Sequence, residues 1–225
     1  LKLTTHGRNY NTNRHFIWGA FELNDNLKVL LESSLYFLAL INPASKIFLL
    51  SSIQPPLSGK KLLTLSFQST IVAFIILLLV TVVGNLVLRH VFHVEIYSLK
   101  VAGGIILFII GLQAVRNGRF YESSLHGSLS DLSVVPLGAP LIAGPGTIAA
   151  AISYRAASGI ELTIIAISIA LIVNFILMAG SIWIAKILDR FHVIGPLIRI
   201  TGLIVAAVAV QMILSGIGEW YAVIK

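Results

Sequence analysis

Residues 33–53 read SSLYFLALINPASKIFLLSSI, and residues 132–154 read LSVVPLGAPLIAGPGTIAAAISY. Each stretch is long enough to cross a bilayer at about 20 residues per helix, and each carries a helix breaker at its centre. The midpoint of the first is Pro43, preceded by Asn42; that of the second is Ala143, next to Gly144 and Pro145. Proline inside a helix loses one backbone bond and clashes with the preceding turn, at about 3 kcal/mol. The residue before it is pushed out of helical geometry. Pro136, Gly138, Pro140 and Gly146 make one straight helix still less tenable for the second stretch. In hydrocarbon each unpaired amide or carbonyl costs several kcal/mol, so irregular backbone survives there only inside protein or beside a polar cavity.

The surrounding chain is equally apolar. Of its 225 residues 57% are hydrophobic and 11% charged, less than half the roughly 25% charged share of a soluble domain. That is more apolar surface than one soluble core can hide. Charges delimit six apolar runs: 33–53, 62–88, 96–115, 132–154, 162–185 and 200–218. Residues 1–28 form a polar tail and interfacial segment, with Trp18 and Phe21 meeting the headgroups. A polar connection, 116–131, divides a first three-span half, 29–115, from a second, 132–225. The absence of cysteine excludes disulfides, thiolate nucleophiles and cysteine metal sites. The net charge of +7 is spread over the gaps between apolar runs, without a basic helix face or nucleic-acid motif. It marks a lipid bilayer as partner, not a nucleic acid. The basic residues divide almost evenly between the two sides, so charge does not set the orientation.

The halves repeat. Phe92-His93-Val94, Lys100 and Gly103 recur 99 residues later as Phe191-His192-Val193, Arg199 and Gly202. Asn42-Pro43-Ala44-Ser45 aligns with Gly144-Pro145-Gly146-Thr147 at an offset of 102. Three is odd, so the second copy crosses the membrane in the opposite sense. The predicted fold is therefore all-α: a polytopic membrane protein of six transmembrane segments, arranged as two inverted three-helix repeats with broken helices in segments one and four. Such an architecture is characteristic of secondary transporters.

The breaks define the candidate site. Asn is a good N-cap and proline suits the first helical position. Asn42 can end one half-helix and cap another that starts at Pro43, and Gly144 with Pro145 can do the same in the second copy. Free amides at Ala44, Ser45, Gly146 and Thr147, with the partial positive charge of two helix N-termini, suit a carboxylate. Carbonyls near Leu40-Ile41 and Ile142-Ala143 suit an ammonium group, so a small zwitterion answers both. The alternative is a pair of proline kinks held by packing, with the small residues serving close helix approach. Lys46 is the only ionisable residue well inside a run, and either faces a substrate carboxylate or snorkels to the surface. Asn174, midway along the fifth run, is the polar residue best placed to line a cavity. Gln68, Asn85, Gln113 and Gln211 are expected to bond across helices, and Tyr154, Trp183, Trp220 and Tyr221 to anchor at interfaces. No Asp or Glu lies inside any run, so no coupling ion is identified, and no cofactor or metal is implied.

The run from Pro136 to Thr147, with Asn42-Pro43 and Arg199-Ile200-Thr201-Gly202, resembles the MarC family of six-span bacterial and archaeal inner-membrane proteins. The likeness extends over about 31–218. It implies transport of glycine, alanine and similar small neutral amino acids, substrate handling by the two broken helices, and termini on the periplasmic side. Two features depart from the family pattern. Asn-Pro-Ala-Ser-Lys stands where the family more often has Asn-Pro, an aliphatic residue and Gly, and the polar leader is longer. Three competitors remain: an efflux protein for drugs or other metabolites, a small channel, and an intramembrane enzyme using Ser45 and Lys46 as a dyad. The enzyme is disfavoured, since no His-Glu-x-x-His motif or membrane Asp pair is present.

Overall fold

The computed structural model describes residues 25–51, 53, 57–118, 142–190 and 193–225. In chain order the helices are α1 (Asp25–Ile41), α2 (Pro43–Ser51), α3 (Gly59–His90), α4 (Ile96–Asn117), α5 (Pro145–Ser158), α6 (Ile160–Ala179), α7 (Ser181–Arg190) and α8 (Ile194–Ile224). No strand occurs among the described residues. Among the described residues five stretches are long and apolar enough to cross a membrane: Leu27–Ser51, Gly59–Leu88, Ile96–Asn117, Ile160–Ala179 and Ile194–Ile224. Of the expected fourth span only the second half is seen, as α5. Residues 132–141, with Pro136, Gly138 and Pro140, lie outside the described residues, as do Trp18, Phe21 and most of 1–28 and 116–131.

Three of the expected segments differ at their boundaries, the sixth run, 200–218, being exceeded at both ends by α8 (Ile194–Ile224). Helix α1 starts at Asp25, inside the stretch assigned to a polar tail, because Leu27, Leu30 and Leu31 already supply helical spacing. The fifth run does not continue to 185: α6 ends at Ala179 and Gly180 leads into the separate helix α7. Its change of character explains the stop. Lys186 and Arg190, four apart, share one exposed face of α7, whereas Ser181 and Ala185 are buried on the other.

Helix α6 is the hub, packing against α1, α2, α3 and α5. The first membrane stretch is 56% buried and α3 only 17%, so the segment carrying Asn42 lies innermost and α3 turns most of its surface outward. The inner stripe of α3 is Leu62, Ser66, Ser69, Ala73, Leu77 and Thr81, at the three-to-four spacing of one helix face.

Helices α4 and α8 form the tightest pair. Gly104, Leu107, Gly111 and Ala114 are buried on α4, and Ile198, Gly202, Val205, Ala209, Met212 and Gly216 on α8. Both rows alternate steps of three and four, the seam of a left-handed pair. A Cβ on Gly104 would stand 2.9 Å from the Ala209 carbonyl, and one on Gly111 would stand 2.7 Å from both the Gly202 carbonyl and the Ala206 nitrogen. One on Gly216 would lie 2.8 Å from the Tyr97 carbonyl. The register, Tyr97 beside Gly216 and Gly111 beside Gly202, shows that the two helices run antiparallel. An ion pair between Lys100 and Glu219 closes one end. Without a hydrophobic force between helices in lipid, such close backbone approach is what holds them.

The expected consequence is asymmetric. Gly111→Ala should lower the melting temperature of the detergent-solubilised protein by about 2–8 °C, since it pushes on backbone and overpacking costs about 1–3 kcal/mol. Gly218→Ala, with nothing within 4 Å of the new carbon, should be neutral or slightly stabilising. Equal effects at the two positions would remove the backbone contact as the cause.

Candidate functional site

At the first break, α1 ends with Ile41, Asn42 takes φ +52, and α2 begins at Pro43. Asn is one of the few residues other than glycine that visits left-handed geometry, and here it serves as the turn that ends a helix. Its amide donates to the Leu38 carbonyl at 2.9 Å. This corrects the expected cap. Asn42 does not cap α2 from extended geometry with its side chain; instead its own carbonyl is the local acceptor. It accepts from the Ser45 amide at 3.2 Å, the Ser45 hydroxyl at 2.7 Å and Lys46 Nζ at 3.4 Å. The Ser45 amide and hydroxyl are thus committed to Asn42 and are not bare donors for a carboxylate.

Lys46 is 2% exposed, and its ammonium also donates to the Ile41 carbonyl. It does not snorkel. It turns back across the break onto the carbonyl end of α1, which resolves the conflict of a cation placed in the first turn of α2, near a positive helix end. Of the carbonyls assigned to a substrate ammonium on this side, that of Ile41 is therefore taken by the chain itself. Ser45 and Lys46 each engage backbone carbonyls, and no hydrogen bond joins the two side chains.

The second break is built differently. Ile142 and Ala143 are buried, Gly144 precedes α5 in extended geometry at φ −72 and ψ 168, and no side chain caps the helix. Pro145, at the first helical position, is exposed, while Gly146 and Thr147 are buried. The Ile148 amide bonds to the Gly144 carbonyl at 2.9 Å. The amides of Gly146 and Thr147 fall in the first turn, where a helix offers its own N–H groups no partner. Gly146 itself is a packing position: a Cβ there would meet the Leu107 side chain, and one on Gly103 would stand 2.6 Å from the Ala149 Cβ. The small residues at this end let α5 dock on α4, so of the two readings of Gly146, close packing is what the structure shows.

Both breaks border one core, in which Leu40 and Ile41 join Ile142, Ala143, Ala149, Ile167 and Leu171. Helix α6 packs against both α2 and α5, and Asn174 lies on it, fully buried. Its Nδ2 donates to the Met178 sulfur at 3.2 Å, whereas Oδ1 has no partner among the described residues. A buried acceptor left open costs about 1–3 kcal/mol, and such groups call for a ligand or water. Ser66, Ser69, Ser153 and Ser181 also carry buried hydroxyl oxygens without a partner among the described residues.

Several polar side chains fall elsewhere than expected. Gln68, Gln113 and Gln211 are exposed on outer faces and do not bond across helices; Asn85 is partly buried with Oδ1 open. Tyr154 is partly buried. It bonds to Ser33 and packs between Tyr36 and Phe37, with ring centroids at 6.2 and 5.6 Å, tying α5 to α1. Arg155 donates to the Val82 carbonyl at 2.8 Å, tying α5 to α3. Neither contact carries a sequence signal, because each depends on tertiary placement alone. Trp183, Trp220 and Tyr221 are exposed.

The profile of the MarC family, described as integral membrane proteins, matches residues 27–221. A UPF0056 membrane protein of Pyrococcus horikoshii is 35% identical over 192 residues, covering 85% of this chain and 95% of the relative. A second, from Bacillus subtilis, is 30% identical over 197 residues and covers 83% and 92%. A third, from Aquifex aeolicus, is 27% identical over 193 residues and covers 81% and 89%. No solved structure matches the chain.

The left-handed turn at Asn42 makes its own prediction. Asn42→Gly should leave the melting temperature near that of the unchanged protein. Asn42→Ala should melt about 2–8 °C lower, because a left-handed conformation costs an ordinary L-residue roughly 1–2 kcal/mol. Coincident melting curves for the two variants would show that the turn is not strained.

Proposed function

The chain belongs to the MarC family of integral membrane proteins, and we propose that it is a secondary transporter for small neutral amino acids of the glycine and alanine type, working by alternating access. The observation that carries this is the uncapped start of α5 at Gly144, set in the core beside a helix whose Asn174 holds an open acceptor. Free amides and a positive helix end select a carboxylate. An amide oxygen with nothing to accept selects an ammonium group.

In this scheme the Gly146 and Thr147 amides and the Thr147 hydroxyl hold the carboxylate, and Asn174 Oδ1 accepts from the ammonium. Gly144 and Pro145 set the break. Asn42, Pro43, Ala44, Ser45 and Lys46 form the opposite wall, kept rigid by the hydrogen bonds onto Ile41 and Asn42. Six spans in two inverted repeats provide the moving parts. Helix starts at Pro43, Gly59 and Ile96 recur at Pro145, Ile160 and Ile194, offsets of 102, 101 and 98. The repeat-equivalent helices α4 and α8 run antiparallel, the relation an inversion requires, and both features support the scheme. We place the protein in the cell inner membrane with periplasmic termini, as the family resemblance implies.

Counterflow in proteoliposomes tests the proposal. Labelled alanine should accumulate saturably against a trapped pool, excess glycine should block it, and unrelated drugs should not. Thr147→Val should raise the apparent KM for alanine roughly fivefold to tenfold, the value of one lost hydrogen bond, while the melting curve stays in place. Drug transport that alanine does not inhibit would instead make the protein an efflux carrier. Unsaturable flux would make it a channel. Unchanged alanine transport by Thr147→Val would remove the pocket from the start of α5.

A further inference from the structure

We propose that the Lys46 ammonium is the resident cation of the α1–α2 break: a tethered amine occupying a carbonyl site that otherwise suits an alkali cation. A helix interrupted inside a membrane turns the carbonyls of its last turn toward the gap. Such carbonyl groups are oxygen ligands of the kind that hold sodium in membrane carriers. Here the gap displays the carbonyls of Ile41 and Asn42, and Lys46 Nζ donates to both.

Three features separate this from ordinary snorkelling. Lys46 is 2% exposed, so its charge is not delivered to water. The side chain runs backward from the first turn of α2, four and five residues along the chain from its acceptors, so it spans the break itself. Within the first membrane stretch, residues 27–51, the only carboxylate is Glu32, nearly three turns of helix before the break. The negative partner of the ammonium is therefore the carbonyl end of α1, as it would be for a metal ion. A free ion would have to bind and leave in each transport cycle, whereas Lys46 is covalently held. The site keeps its charge without drawing on an ion gradient. Lys46 thereby sets the ion requirement of this break.

The test uses the purified full-length protein in detergent, melted at equal ionic strength in sodium, lithium, potassium or choline chloride. The unchanged protein should melt at one temperature in all four. Lys46→Ala should open the carbonyl site, melt lower in choline, and gain about 3–6 °C in sodium or lithium at tenfold the dissociation constant. Lys46→Met, which fills the same space without a charge, should melt below the unchanged protein and show no response to cations. Stabilisation of the unchanged protein by any alkali cation would overturn the proposal. So would a folded Lys46→Ala protein that ignores all four salts, or a Lys46→Met protein as stable as the unchanged one. If Lys46→Ala does not fold, the unchanged protein and Lys46→Met still decide. None of these melting measurements depends on which substrate is carried, so failure of amino-acid transport and failure of the resident cation are separate results.

Discussion

A backbone that leaves helical geometry within an apolar segment must find new partners for its amides and carbonyls inside the protein, because lipid supplies none. At Asn42 this requirement is met by three groups from the next turn: the Ser45 amide, the Ser45 hydroxyl and the Lys46 ammonium. Their presence keeps the left-handed residue from being an isolated defect. It also explains why the stretch that carries it is the most buried of the five that can cross a membrane. Had α1 and α2 occupied the position of α3, which faces largely outward, the turned-in carbonyls would have met acyl chains. Central placement, the hub role of α6 and the inward charge of Lys46 thus follow from one backbone irregularity.

Polarity and tightness are distributed unevenly around that centre. The α4–α8 pair is close-packed through glycine and alanine, and none of the buried unpartnered polar atoms among the described residues belongs to it. All of them sit on α3, α5, α6 and α7, at Ser66, Ser69, Asn85, Ser153, Asn174 and Ser181. One side of the molecule is dry and held by backbone contact; the other carries hydrogen-bonding capacity that its own helices do not use. The solute site proposed above lies with this second group of helices.

Much of this was visible in the residues. The membrane class followed from composition, the starts of α3, α4 and α6 to within three residues from charge-delimited apolar runs, and the break at Asn42-Pro43 from proline chemistry. The manner of the break was not visible. An Asn before Pro is compatible with an extended N-cap or a left-handed helix end, and only the tertiary setting chooses between them. The same holds for Lys46, whose spacing allowed snorkelling, substrate contact or self-capping. Small residues were ambiguous for a different reason. Gly146 and Gly111 look alike in sequence, and whether a missing side chain leaves a hollow or admits a neighbouring helix depends on what is opposite. At Gly146 it is Leu107; at Gly111 it is the backbone of α8. Tyr154 looked interfacial because aromatic residues near span ends usually are, and its bond to Ser33 lies 121 residues away in sequence.

The asymmetry between the two breaks has a consequence for how a zwitterion would be oriented. Equivalent ends would give two similar subsites and no preferred direction. In this chain the α1 carbonyls are already neutralised by Lys46, and the first-turn donors of α2 are partly spent on Asn42. Among the described residues no side chain caps the start of α5, and the residue equivalent to Lys46 is Ile148. In the proposed scheme the carboxylate would go to α5, and the ammonium to the open acceptor of Asn174 on α6. In the proposed scheme a side chain extending from the substrate meets the packed surroundings of the start of α5, where Leu107, Ala149 and Ala150 are buried. Each added methylene there displaces packed protein, at a cost that grows with volume. Under the proposed function, selectivity for small neutral amino acids would rest on one helix end without a side-chain cap and the crowding around it, without any charged residue dedicated to the substrate.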